Sequence, residues 1–320
     1  MKEYIVAFLV ARLSSSRLPK KHLRKIGDKR LIDWTIENVK KSNYVDKIVI
    51  ATTNEKENML LKDIAIEHNV DIFLYDGDID DVVGRLTKAA ITYEADIPIL
   101  ISGDCPLIWS ESLDRLIENI LKDKSLDCIN FCLKNDKHPI HEGMSVYRKK
   151  AWVLADKLSK SPALREHQFP IIGIEKDKFK VGCVEDDELF YKIKHRISVD
   201  TLADLKFMNT IYDNLNDLNL EFNLKNAVEL LIKKPYLLDI NRDVHQMKLY
   251  EKQKKALFVV KKEDNLELFF DLAYDLTKKG VGVRFYSKEE ALLLKIQDNG
   301  FGVISKINNK HFDFRITEEE

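Results

Sequence analysis

Short, wholly apolar runs alternate along this chain with longer stretches whose apolar residues recur every three or four positions. Ile5–Val10, Lys47–Thr52 and Ile97–Ile101 are runs of the first kind. They are too short for buried helices and rich in β-branched residues, which predicts strands covered on both faces, as in a parallel sheet. Leu31–Lys41, with Ile32, Ile36 and Val39 on one face, is of the second kind, as are Glu55–Asn69, Asp80–Glu94 and Ser110–Lys122. These read as helices, and Asp71–Leu74 adds a short strand. Strand and helix therefore take turns. That alternation predicts an α/β fold, a doubly wound and mostly parallel sheet whose ligands sit beyond the carboxyl ends of the strands.

Further along, Leu126–Leu133 and Gly143–Tyr147 read as strands around a break at Lys134–Pro139, and Lys149–Leu158 as a helix. Residues 161–195 are the least regular part, with Lys176–Val184 predicted as a strand pair and Glu185–Glu188 as an acidic turn. Irregular insertions of this kind often carry a substrate pocket. Arg196–Val199 reads as a strand stopping at Asp200, and Thr201–Leu215 as a helix with Leu202, Leu205 and Met208 on one face. Helical patterns follow at Asn223–Lys233 and Arg242–Lys254. The composition changes near Lys255, so the pattern divides the chain into residues 1–254 and 255–320.

The second part predicts a strand-helix-strand-helix-strand set: Lys255–Val260, Asn265–Lys279, Val281–Tyr286, Lys288–Asn299 and Phe301–Ser305. About 65 residues make a marginal core alone. This part reads as a small appendage docked on the first, or the opening of a larger α/β domain, with docking or dimerisation as its expected role. An acidic tail, Glu318–Glu320, closes it.

Charge changes the picture locally, not globally. The 52 Lys and Arg nearly balance 53 Asp and Glu, for a net charge of -1, which gives no field for a nucleic acid or an acidic membrane. No apolar run approaches the roughly 18 residues of a membrane span, and the chain enters its first strand without a signal-peptide pattern, so a cytoplasmic location is expected. The four cysteines, Cys105, Cys128, Cys132 and Cys183, show no metal-ligand spacing and read as reduced core thiols. Against this neutral background, eight Lys and Arg fall between Arg12 and Arg30 with one acid, Asp28. The run Ala11-Arg12-Leu13-Ser14-Ser15-Ser16-Arg17-Leu18-Pro19-Lys20-Lys21 directly follows the first strand. Serine hydroxyls, turn N–H groups and spaced cations can together surround a polyphosphate, although a solvated basic loop has the same composition.

Two acids stand at predicted strand ends: Asp104 in Ser102-Gly103-Asp104-Cys105-Pro106-Leu107, and Asp200 in Ser198-Val199-Asp200-Thr201. A carboxylate there can hold Mg²⁺ over a phosphate, since magnesium takes one or two protein carboxylates and fills its other positions with phosphate oxygens and water. Each acid can equally cap the helix that follows it.

Taken in order, Ala11-Arg12-x-x-Ser15-Ser16-Arg17-Leu18-Pro19-x-Lys21, Gly103-Asp104-Cys105-Pro106-Leu107, Arg165-Glu166-His167 and Val199-Asp200-Thr201 resemble the sugar nucleotidyltransferases of the cytidylyltransferase group. That group includes CMP-Kdo synthetase and acylneuraminate cytidylyltransferase, and the spore-coat polysaccharide branch is the nearest in pattern. The resemblance covers roughly residues 1–215. It implies a Rossmann-like fold of the nucleotide-diphospho-sugar transferase type and a nucleotide site at Ala11, Arg12, Ser15, Ser16, Arg17, Lys21, Ser102 and Asp104. It also implies that Arg12, Arg17 and Lys21 hold the triphosphate of CTP, and that Asp104 and Asp200 bind Mg²⁺, these five forming the catalytic set. The implied reaction is attack of a sugar hydroxyl on the α-phosphate with pyrophosphate leaving, for surface glycan synthesis. Fixed cations and a metal stabilise that transition state without a dedicated protein base.

For a small acidic sugar the candidates are His141, Glu142, Arg165, Glu166 and His167, with Arg165 offering a planar fork to a carboxylate. A solvent-facing helix start explains Arg165-Glu166-His167 equally. Arg85 also matches a family position, and a pair with Asp81, four residues away, is its alternative. Two departures stand out: Lys20 replaces the usual glycine, and Ser102 replaces the glutamine of the CMP-Kdo branch. The rival readings are a nucleotidyltransferase for another NTP or a neutral sugar, and a non-catalytic nucleotide-binding scaffold; a homodimer is compatible with each.

Overall fold

A computed structural model of the chain describes residues 2–307 and 312–317; the acidic tail at 318–320 lies outside the described residues. The strands in chain order are β1 (Ile5–Val10), β2 (Lys25–Ile26), β3 (Lys29–Arg30), β4 (Lys47–Thr53), β5 (Asp71–Tyr75), β6 (Ile97–Ser102), β7 (Cys128–Phe131), β8 (Met144–Tyr147) and β9 (Val181–Val184). Among the described residues seven of these form one sheet in the order β5-β4-β1-β6-β8-β7-β9. β5, β4, β1 and β6 run parallel, β8 is antiparallel to both its neighbours, and β9 is parallel to β7.

The continuous apolar run of β1 has a direct structural reason. Ile5, Ala7 and Leu9 face one buried layer with Ile32, Ile36 and Val39 of the helix Leu31–Lys40, while Val6 and Phe8 face another with Val83, Leu86 and Trp152. Successive strand side chains point to opposite faces, so a strand between two helix layers must be apolar at every position. β1 is also where the chain reverses direction across the sheet: β4 and β5 extend to one side, and β6 returns to the other. The carboxyl ends of β1 and β6 therefore lie side by side, with Val10 paired to Ser102 and the Gly103 N–H donating to the Val10 carbonyl at 3.0 Å. This is the switch point at which such sheets leave a crevice.

A third apolar cluster lies beneath the loop that leaves β1. Leu18 and Leu107 pack there with Phe207, Met208 and Ile211 of the helix Leu202–Asp217. From Lys255 a separate sheet begins, in the order β11-β10-β12, with β10 at Lys255–Val259, β11 at Gly282–Tyr286 and β12 at Phe314–Thr317. It has its own aromatic core, including Phe258, Phe270, Phe285 and Phe301.

Several local expectations are corrected. Arg196–Val199 forms no strand, and the Val199 N–H instead donates to the Asp104 carbonyl at 2.9 Å. Residues 242–254 form an irregular strap, not a helix, and Val303 makes only an isolated bridge to Phe285. Within 176–184 only Val181–Val184 is a strand. Cys132 and Cys183 are joined as a disulfide with Cα atoms 5.0 Å apart, because β7 and β9 pair in parallel and bring their ends together. Cys105 and Cys128 are free and buried. Among the described residues no helix is long and apolar enough to cross a membrane.

Candidate active site

The loop after β1 is held from below by its own residues and by Asn58, which follows β4. The Leu13 N–H donates to Asn58 Oδ1 at 2.9 Å, the Leu18 N–H donates to Ser15 Oγ at 3.3 Å, and the Lys20 N–H closes onto the Leu13 carbonyl at 3.1 Å. Lys20 is left-handed at φ 52°, a conformation that glycine takes freely and other residues adopt at a cost. Buried Leu13 and Leu18 anchor the loop in two different apolar clusters, so its charged residues stand over the crevice between β1 and β6.

There Lys21 meets both Asp104, just beyond the end of β6, and Asp200, at the end of the irregular segment 196–199. Its Nζ lies 2.5 Å from Asp104 Oδ2 and 2.6 Å from Asp200 Oδ1. Arg17 Nη2 lies 3.2 Å from Asp200 Oδ2, and Arg196 pairs with the same oxygen. Burial opposes the Lys21 charge, but Asp104 and Asp200 outweigh it and hold the ammonium above its ordinary range. Burial likewise opposes ionisation of Asp200, yet Lys21, Arg17 and Arg196 keep its carboxyl well below the usual range. Neither acid is spent on a helix end. Thr201 caps the helix Leu202–Asp217 in a reciprocal pairing with Asp204, and Trp109 holds the cap position before Ser110–Lys122.

Two cavities open on this cluster. The larger, about 750 Å³, is lined by Arg12, Ser15, Ser16, Arg17, Lys21 and Asp200, by Glu166 and His167, and by the strap 247–253. The smaller, about 280 Å³, includes Arg12, Lys21, Ser102, Asp104, Glu166 and His167 in its wall, and adds His22, Arg85 and Gln168. Arg12 reaches Asp80 at 2.5 Å from the rim. Arg17 Nη1 is buried and has no hydrogen-bond partner. Ala11 is buried at the start of the loop, 1% exposed, with its N–H 3.4 Å from the Ala51 carbonyl.

Arg85 does not pair with Asp81. It is completely buried, its Nε and Nη1 lack partners, and burial together with the nearby Arg12 charge pulls its pKa down to about 10. Asp81 instead caps its own helix through the Gly84 N–H at 2.8 Å and binds Arg165 at 2.9 Å. Arg165 also holds Asp156 at 2.8 Å, so it braces the wall and does not line either cavity. His141 sits 2.5 Å from Asp186 and stacks on Phe131, away from both cavities. Glu142 accepts from the Ser198 N–H at 2.7 Å and the Ile197 N–H at 3.3 Å, which fixes the segment carrying Asp200. Burial raises its pKa.

Two wall residues had no motif to mark them. His22 is 3% exposed, and burial, then Lys21, pull its pKa down to about 4, so it is neutral. Gln168 donates from Nε2 to Ser102 Oγ at 2.8 Å and so presents a carboxamide beside Ser102. Its place directly after Arg165-Glu166-His167 was the available signal.

Chemically, the cluster offers three cations toward one crevice and two carboxylates that already bracket a single cation. Asp104 and Asp200 supply only oxygen and two negative charges, the donor set that a hard divalent ion accepts when phosphate and water complete its shell. Among the described residues no group of three or more His, Cys, Asp or Glu is placed to hold a metal without such help.

Comparison with known proteins agrees with this architecture. Residues 6–267 match the family described as "Cytidylyltransferase". The chain is 31% identical to the uncharacterised protein MJ1063 of Methanocaldococcus jannaschii over 76% of this chain and 96% of that one. It is 24% identical to the spore coat polysaccharide biosynthesis protein SpsF of Bacillus subtilis, over 67% of this chain and 88% of that one. A 3-deoxy-manno-octulosonate cytidylyltransferase of Bdellovibrio bacteriovorus is 31% identical over 42% of this chain, the match spanning about half (51%) of that protein. In fold, a cytidylyltransferase structure from Leptospira borgpetersenii superposes with a TM-score of 0.63 at 24% identity, covering 74% of this chain and 97% of that one.

Proposed function

The chain belongs to the cytidylyltransferase family, and from that premise we propose that it transfers CMP from CTP to an acidic, ulosonic-type sugar with Mg²⁺, releasing pyrophosphate. The observation that carries the reading is the Lys21 ammonium held between Asp104 and Asp200 at the ends of the crevice segments. Beside it, Arg17 Nη1 is buried without a hydrogen-bond partner. Buried donors without acceptors are costly, and a triphosphate would satisfy them.

In the reaction the sugar hydroxyl oxygen bonds to the α-phosphorus while the bond from that phosphorus to the bridging oxygen of pyrophosphate breaks. Arg12, Arg17 and Lys21 bind the outer phosphates and take up the charge that grows on the leaving group. Asp104 and Asp200 would hold the metal, which when bound neutralises phosphate charge and eases loss of the attacking hydroxyl's proton. Arg85, Ser102 and Gln168 line the smaller cavity and would receive the base. The sugar belongs in the larger cavity, beside Glu166 and His167.

The acidic-sugar reading rests on the 3-deoxy-manno-octulosonate cytidylyltransferase relative and on Lys248, Lys252 and Lys255 in the larger cavity's wall. The polysaccharide context rests on the SpsF likeness. The test is pyrophosphate release from CTP and Mg²⁺ across a panel of 2-keto-3-deoxy sugar acids and neutral hexoses. Release with an acid and not with hexoses is expected; release with hexoses alone overturns the acidic sugar, and nucleotide binding without release from any sugar favours a scaffold.

A further inference from the structure

The three-stranded sheet unit reaches back to the phosphate loop. From β11, Arg284 Nη1 donates to the Ser16 carbonyl at 2.7 Å and Nη2 donates to the Ser15 carbonyl at 3.1 Å. The strap residue Gln253 accepts from Ser16 Oγ at 2.7 Å and donates to the Gly280 carbonyl at 3.2 Å. Packing leaves no slack. A Cβ at Gly302 would come within 2.9 Å of the Pro19 ring and 3.0 Å of Arg284, and one at Gly282 within 3.3 Å of Ser16 Cβ.

We propose that this unit is a clamp on the phosphate loop, with Arg284 as a positioning residue that turns the Ser16 and Arg17 N–H groups toward the triphosphate; the proposal rests on the cytidylyltransferase reading. A trans peptide is planar, and its C=O and N–H point to opposite sides. Holding the Ser15 and Ser16 carbonyls on the Arg284 side therefore directs the next two N–H groups the other way, where Ser15, Ser16 and Arg17 line the larger cavity. Among the described residues neither N–H has a hydrogen-bond partner. Successive N–H groups aimed one way make an anion-binding concavity, and fixing them beforehand removes reorganisation at the moment of binding.

The choice of arginine fits the task. Among the described residues no carboxylate pairs with Arg284; its fork is used on backbone carbonyls, also that of Val283 at 2.9 Å. Two parallel donors set the orientation of two consecutive peptides, which a single ammonium cannot do. The strap that carries Gln253 is itself a wall of the larger cavity, so the same contact ties the wall to the loop.

The experiment is calorimetric titration of full-length wild type, Arg284→Met, Arg284→Lys and Gln253→Leu with CTP and with CMP, each with Mg²⁺. Arg284→Met is expected to weaken CTP about tenfold, near the worth of one charge-assisted hydrogen bond, and CMP less than twofold. Arg284→Lys and Gln253→Leu should give smaller losses of the same kind, and added guanidinium should restore CTP affinity to Arg284→Met. Unchanged CTP affinity across the folded variants, or equal losses for CTP and CMP, overturns the clamp. A wild type that binds no CTP overturns the nucleotide reading and the clamp with it, so the two failures are told apart.

Discussion

Arg85→Met should make the ligand-free protein more stable and the nucleotide complex weaker. Methionine fills the site of a completely buried side chain without its charge. The fall of the guanidinium from 12.5 to about 10 corresponds to about 3 kcal/mol against the charged form. Its two unpartnered nitrogens point the same way, since a buried unsatisfied donor costs about 1–3 kcal/mol. Part of that penalty returns as lost packing, so a net gain of about 2 kcal/mol is expected, raising Tm by roughly 3 °C for a chain of this size. In the complex the balance reverses. Losing a hydrogen bond from a charged group costs about 1.5–3 kcal/mol, a 10- to 100-fold weaker Kd for CTP. Thermal unfolding with and without CTP reads both effects. A variant that is less stable than wild type, or that binds CTP equally well, would refute the view that Arg85 is held in reserve for a ligand.

Asp104→Ala should lower kcat/KM by about a thousandfold, several kcal/mol of charge stabilisation, while circular dichroism stays unchanged; near-normal turnover removes Asp104 from the mechanism. Arg17→Ala should weaken CTP more than CMP, because its free nitrogen serves the outer phosphates, and equal losses would contradict that assignment. His22 titrates near 4 when folded and near 6.5 when unfolded, so between those values the unfolded chain binds the extra proton and stability falls as pH drops. The loss reaches about 3 kcal/mol by pH 4, and His22→Gln should lack this component in denaturant titrations at pH 7, 5.5 and 4. Lys20→Gly should stabilise by about 1 kcal/mol by relieving the left-handed backbone, measurable as a shift of the urea midpoint.

The parallel half of the sheet was legible because burial on both faces leaves an unmistakable mark: β1 has no polar position for any other environment to explain. The loop and Asp104 were legible because order along the chain, strand then cations then strand-end acid, mirrors their meeting at the switch point; Asp200 was singled out at the end of a strand that does not form, yet it reaches the same cluster through Lys21. Less was legible where position depends on distant chain. Arg165 has the fork for a substrate carboxylate, yet Asp81 and Asp156 claim it, and nothing local in Arg165-Glu166-His167 signals partners 84 and 9 residues away. Arg196–Val199 carries strand-like residues but runs beside Asp104 and Glu142 outside any sheet. The disulfide between Cys132 and Cys183 likewise depends on β7 and β9 becoming neighbours across 51 residues. Arg284 was invisible as a site residue, because its acceptors are backbone carbonyls 268 and 269 positions earlier.

The most direct test of the central claim is binding of CTP, UTP, ATP and GTP, each with and without Mg²⁺, by thermal shift and then calorimetry. A ligand that binds only the folded state raises stability according to its concentration and affinity. The account predicts that CTP stabilises most and that removing Mg²⁺ abolishes most of the shift, because the Lys21 charge shared by Asp104 and Asp200 does not replace a divalent ion against the triphosphate. Preference for another nucleotide, or CTP binding indifferent to Mg²⁺, would contradict it.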